Sequence, residues 1–256
     1  MPEAGFRFLR YEVRGKVAVI TYDHQEVRNA WDVAMYREIE QAVARANEDA
    51  AVGAIVFTHA GPVYCAGTNL KAKAAAPRLD AAGRPETIGS VSMAQDTGWI
   101  HLLARSKPSI AAVQGAAIGL GVTQLLPMDV RMGSTASTYS FPFLSLGFMP
   151  ELGSTALLAR LVGNGRARDL ILSAATIDAD EALRIGLLTR VSPPETLLDD
   201  AVALGERIAG FGALQVRLTR DLLAANAAEA DANAFLARER DAFAALRQTL
   251  KAERAR

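Results

Sequence analysis

The chain has 256 residues, half of them hydrophobic, with 28 lysines and arginines balanced by 28 aspartates and glutamates and a single cysteine. That length suits one large domain, or a domain with a smaller appendage, and the even charge argues against nucleic acid as a partner. The lone Cys65 allows no internal disulfide and fits a reducing compartment, the apolar runs are too broken for a membrane span, and the amino terminus lacks the apolar core of a signal peptide, so the cytoplasm is the expected location.

In chain order, "KVAVITYD" (16–23) is rich in β-branched residues and predicts a strand. The period then changes: Trp31, Met35, Ile39, Ala42, Val43 and Ala46 fall on one helical face, with Asn29 as candidate cap and Asp32 three residues on. "VGAIVFTHAG" (52–61) predicts a second buried strand, so the three segments suggest a βαβ unit in a mainly parallel sheet. Residues 71–90 lack a clean period and predict a long surface loop, of the kind that forms lids or pocket walls. A helix over about 91–106, the strand "PSIAAVQG", a glycine-rich turn and the helix "VTQLLPMD" follow, then short strands at "VRMGS" and "STYSFP". From Gly153 the pattern is mostly helical: "STALLARLVG" stops at Gly163, and "DADEALRIGL" has Asp178 as cap and Gly186 as stop. Helical spacing continues over roughly 196–210, 213–227 and 230–252.

Three stretches carry possible chemistry. In "VQGAAIGLGVTQLL" (113–126) a strand meets a helix through Gly115, Gly119 and Gly121. The pattern is neither a dinucleotide fingerprint nor a P-loop, which leaves a backbone donor for a developing oxyanion or plain close packing. In "VYCAGTNLK" (63–71), Cys65 lies in apolar company with no basic neighbour to lower its pKa, so a buried structural thiol is expected rather than a nucleophile. In "SLGFMPELGSTALLARLVG" (145–163), Glu151 either meets solvent at the start of a helix or lines an apolar pocket, where desolvation raises a carboxyl pKa. On these residues alone the solvated helix start is favoured. His24, His59 and His101 are dispersed without metal-ligand spacing, and no G-x-S-x-G elbow occurs.

Together and in this order, "VRNAW", "CAGTNL", "VQGAAIGLG", "MPELGS" and "DADEALRIGLLTRV" resemble the crotonase, or enoyl-CoA hydratase/isomerase, family over nearly the whole chain. The resemblance implies an α/β fold, a crotonase-type spiral of β–β–α units over 1–192 carrying the acyl-CoA site, with a helical carboxy-terminal trimerisation region over 193–256. Homotrimers or dimers of trimers are then expected. It also implies that the Thr68 and Leu120 amides bind the thioester oxygen, with Gly119 and Gly121 keeping the second turn open. Coenzyme A would run along Arg28, Ala30, Ala66, Gly67, Asn69 and Leu70, with Arg28 and Lys71 as candidates for its phosphates. No separate cofactor is implied, coenzyme A being part of the substrate.

The same resemblance places the two hydratase glutamates at Thr123 and Phe143, neither of which transfers the required proton, and puts Glu151 where isomerases carry their carboxylate. A dehalogenase branch carries a nucleophilic aspartate there. The expected activity is therefore conversion of 3-enoyl-CoA to 2-enoyl-CoA, with Glu151 shuttling the proton beside Phe143, Leu146 and Phe148. Hydration of 2-enoyl-CoA, by Glu151 alone or by other groups, and a catalytically weak acyl-CoA-binding subunit are the alternatives. Asn69 stands where the family commonly has aspartate.

Overall fold

The computed structural model describes residues 5–71, 78–79, 85–86 and 98–254. Leu9–Arg14 (β1) and Val17–Tyr22 (β2) pair antiparallel across the turn at Gly15; β1 was not expected, because only Leu9 is buried in it and its apolar pattern is faint. Val33–Glu48 (α1) then crosses to Ala54–His59 (β3), which lies parallel to β2 as the βαβ pattern predicts. Val63–Cys65 (β4) follows at once, while Arg78–Leu79 (β5) and Pro85–Glu86 (β6) form a two-stranded ladder inside the expected loop. The expected helix at 91–106 is present as Gly98–Arg105 (α2), its earlier part lying outside the described residues.

Ser109–Val113 (β7) leads through Gly115 to Ala116–Ile118 (β8), a strand hidden within the glycine-rich stretch, and to Leu120–Thr123 (α3). The helix expected over "VTQLLPMD" is only these four residues long. Pro127 lacks an N–H, and its ring would clash with the carbonyl of Thr123 four residues back. The chain continues instead in tight turns, with Leu125 N–H donating to Val122 O and Leu126 N–H to Thr123 O. Val130–Ser134 (β9), Thr138–Ser140 (β10), Ser154–Val162 (α4), Asn164–Leu172 (α5), Thr176–Asp178 (β11), Ala179–Arg184 (α6), Arg190–Ser192 (β12) and Leu197–Ala209 (α7) follow. Both sequence-assigned stops hold: Gly163 caps α4 and Gly186 has φ 85° just past α6, whose cap Asp178 accepts Glu181 N–H.

Two sheets organise this part. The larger has the order β1-β2-β3-β7-β9-β12, parallel from β2 onward, and the smaller runs β11-β10-β8-β4. β3 and β7 are buried along almost their whole length, which is why they read as unbroken apolar runs rather than alternating ones. Between α1, α2 and the large sheet sits an aromatic core. Trp31 meets Trp99 edge-on at 5.2 Å, Trp99 meets Phe57 at 5.8 Å, and Tyr22 meets Trp31 at 6.0 Å; such pairs add ~0.5–1.5 kcal/mol each beyond their buried area.

The chain divides into compact units Met1–Glu206 and Arg207–Arg256, later than the expected 192/193 boundary. Residues 193–206 go with the first unit because Leu197 and Ala201 are buried and Glu206 accepts the Lys16 N–H at 2.6 Å. In the second unit, Ala213–Asn226 (α8) and Ala232–Arg254 (α9) are joined by a turn held by Arg238, which donates to Asn226 and Glu229. No described helix is long and apolar enough to cross a membrane.

Candidate active site

Asn29 does not cap α1. That role belongs to Asp32, whose carboxylate accepts the Met35 N–H at 3.0 Å. Asn29 instead follows Arg28 in a rare pair of consecutive left-handed residues, with φ of 56° and 54°. Its fully buried side chain accepts the His24 N–H and donates to the carbonyls of Ala60 and Val63. An asparagine tolerates this conformation and supplies the three bonds. The result fixes residues 28–30 against the end of β4, where Ala66 N–H donates to Arg28 O at 3.1 Å.

From there the backbone lays out the first donor. Trp31 N–H donates to Gly67 O and Asn69 N–H donates to Trp31 O, each at 2.8 Å, a parallel bridge opposite Thr68. The bridge uses the peptide groups on either side of Thr68 and leaves its own N–H out. Leu120 N–H, at the first position of α3, is an orphan for the usual reason at a helix start. Among the described residues neither amide has a hydrogen-bond partner.

The two loops abut backbone to backbone. A methyl group on Gly67 would lie 3.0 Å from Ile118 O and 3.8 Å from Leu120 N, and one on Gly121 would collide with the Cys65 carbonyl oxygen. Gly119, with φ 55° and ψ −114°, turns the chain from β8 into α3. A shift in the β4–β8 register between Val63 and Cys65 helps re-aim the strand as it enters the turn.

Glu151 reaches this place from the third segment. It is half-buried rather than in the first turn of α4, because Leu152 (φ 53°) and Gly153 (φ 69°) intervene before the helix starts. This corrects the solvated helix-start expectation. Its Oε1 accepts the Thr68 hydroxyl at 3.5 Å, at the outer limit of a hydrogen bond. Burial pushes the Glu151 carboxyl above the ordinary carboxylate pKa, and the Thr68 hydroxyl partly opposes the rise by stabilising the charged form. A left-handed leucine, here only 2% exposed, is a strained conformation of the kind that gathers at functional sites.

Other site residues fall out as follows. Phe143 is buried, with its ring edge 3.9 Å from where a Gly119 methyl would sit. Asn69 donates to Asp32 at 3.3 Å and accepts the Lys71 N–H. Arg28, Leu70 and Lys71 are exposed, so the structure gathers Ala66, Gly67, Thr68, Gly119, Leu120, Phe143 and Glu151 but leaves those three side chains at the surface. Thr123 is fully buried with its hydroxyl directed at Leu120 O. Burial pushes the Cys65 thiol up to about 12, so it stays protonated, as expected of a structural cysteine.

A model of the enoyl-CoA hydratase/isomerase family matches residues 12–255. The chain belongs to that family. It is 34% identical over 206 residues to a probable enoyl-CoA hydratase of Rhizobium meliloti, covering 80% of this chain and 77% of that protein. It is 32% identical over 233 residues to the short-chain-enoyl-CoA hydratase of Clostridium acetobutylicum, covering 91% and 86%. Among solved structures, a probable enoyl-CoA hydratase/isomerase from Mycobacterium abscessus superposes with TM-score 0.81 at 31% identity, over 94% of this chain and 90% of that one. A Thermobifida fusca chain described as an enoyl-CoA hydratase and solved in complex with CoA gives TM-score 0.78 at 32% identity, covering 95% and 94%. The mixed sheets and carboxy-terminal helices are thus the crotonase architecture that the motifs implied.

Proposed function

We propose that this crotonase-family enzyme isomerises 3-enoyl-CoA to 2-enoyl-CoA through a thioester enolate, with Glu151 as the proton shuttle. The observation that carries this reading is the hydrogen bond joining Glu151 to Thr68, the residue whose unpaired amide is one of the two oxyanion donors. Thioester oxygen would lie between the Thr68 and Leu120 N–H groups, and the carboxylate would take a proton from C2 and return it at C4. Preorganised amides suit the step because the charge that leaves carbon collects on that oxygen; losing one such donor costs about 2.7–4 kcal/mol in acyl-transfer enzymes. Coenzyme A itself is the bound handle, as in the CoA complex of the Thermobifida chain, and no further cofactor is called for. A homotrimer, or a dimer of trimers, is the proposed assembly; the second unit offers exposed apolar side chains, including Phe243 and Leu223, for such contacts.

Hydration is the second reading, favoured by the names of the relatives. Against it stand Thr123 and Phe143 at the places of the two hydratase acids. Matched acyl chains supplied as 3-enoyl-CoA and 2-enoyl-CoA separate the two. We expect conjugation of the former, seen as new thioester absorbance, to outrun water addition to the latter; the reverse order of rates would make the enzyme a hydratase.

The pH profile gives a finer expectation. Glu151 must be ionised to take a proton, so activity falls as pH drops through its raised pKa. Thr68→Val removes the bond that holds this pKa down while keeping the amide, so the acid limb of kcat/KM should move to higher pH. An unmoved limb would separate the Thr68 hydroxyl from the base.

A further inference from the structure

Gln124 is an unusual residue for its place. It is fully buried beside an aromatic core, and its Nε2 has no hydrogen-bond partner among the described residues. An apolar side chain there would avoid the desolvation of an amide. What Gln124 touches explains its presence. Its Oε1 accepts the Tyr22 hydroxyl at 2.8 Å, across 102 residues of sequence and from the end of β2. Its carbonyl accepts the Trp99 indole N–H at 2.9 Å, from α2. Its own N–H donates to Leu120 O at 3.0 Å, closing α3 directly behind the Leu120 amide.

The other turn packs directly on α3, where a methyl group on Gly121 would collide with the Cys65 carbonyl oxygen, and the Cys65 sulfur accepts the Gly67 N–H at 3.5 Å. Gly67 is the residue before Thr68. The buried glutamine therefore ties α3, which carries the second free amide and packs on the turn that carries the first, to the large sheet through Tyr22, which fixes its rotamer.

We propose that Tyr22 and Gln124 form a buried polar clasp that sets the spacing of the Thr68 and Leu120 amides, making Gln124 a positioning residue for the oxyanion hole. This rests on the enolate reading above. An amide has directional bonds and a planar tip, so it fixes the loops in register more sharply than a leucine of similar size, which only fills volume. Neither residue touches the reacting atoms, and the effect passes through the backbone of α3 and of residues 65–68.

The test uses Tyr22→Phe, Gln124→Leu and the double variant Tyr22→Phe/Gln124→Leu. Each single change strands a buried polar partner, so thermal stability should fall in both, and the double variant, in which both partners are apolar, should regain it. Activity should not follow stability: kcat should stay roughly tenfold or more below the parent in the double variant, with KM little changed. Binding of 2,4-hexadienoyl-CoA gives a readout independent of turnover, because hydrogen bonds to the thioester oxygen draw its absorbance to longer wavelength. The parent should show this red shift and the double variant a reduced one. A parent red shift retained in full by the stable double variant, or recovery of kcat together with stability, would overturn the clasp alone. If the parent shows no red shift, the oxyanion hole and the clasp fall together.

Discussion

Glu151→Gln should lower turnover of a 3-enoyl-CoA by about 10²–10⁴-fold, the usual contribution of a positioned acid–base group, without loss of folding. Glutamine is isosteric and still accepts the Thr68 hydroxyl through its carbonyl oxygen, so the contact at 3.5 Å has a substitute. What disappears is the ability to accept and return a proton. Burial of the carboxyl also vanishes as an electrostatic burden, so the melting temperature should hold or rise slightly. Acyl-CoA affinity should survive, because the amides of Thr68 and Leu120 are untouched. Parent-like turnover in this variant would remove Glu151 from the mechanism; equal loss of binding would instead point to a misfolded loop.

Gly121→Ala should do damage of a different kind, lowering both stability and turnover. The added methyl group meets the Cys65 carbonyl oxygen and comes within 3.1 Å of the Cys65 Cβ, and both belong to the opposing loop rather than to a flexible side chain. Overpacking of this sort costs roughly 1–3 kcal/mol, and any separation of the loops pulls the two amides apart. Gly119→Ala makes the informative comparison. Its methyl would sit at ordinary contact distance, 3.9 Å from Phe143, yet φ 55° with ψ −114° is a conformation that side chains rarely adopt. We expect Gly119→Ala to remain folded with reduced kcat, whereas Gly121→Ala should also lose several degrees in thermal unfolding. Wild-type kcat in both variants would show that the tight turn has no part in catalysis.

Much of this was legible in the residues themselves. Unbroken apolar runs located β2, β3 and β7, which are buried on both faces, and the 3.6-residue period located α1. Caps at Asp178 and stops at Gly163 and Gly186 were readable because local backbone bonds decide them. Short strands such as β4, β8 and β11 were harder; three residues give no period, and their existence depends on partners far along the chain. Asn29 looked like a cap because its side chain suits one, and only tertiary bonds to Ala60 and Val63 reveal its other use. Glu151 was misjudged on its own residues for a similar reason: Leu152 and Gly153, both left-handed, turn the chain before α4 begins and swing the carboxyl toward Thr68. The family likeness identified the segments that matter, while the bond pattern that frees the Thr68 N–H came from the bridge to Trp31. Gln124 gave no signal at all, being one polar letter in an apolar run whose partner lies 102 residues away.

A crystal structure with a bound saturated acyl-CoA tests the enolate mechanism most directly. The thioester oxygen should sit about 2.7–3.1 Å from both the Thr68 and Leu120 nitrogens, with the Glu151 carboxylate facing C2 of the acyl chain. A thioester turned away from either amide, or a Glu151 side chain directed into solvent with ligand in place, would contradict it.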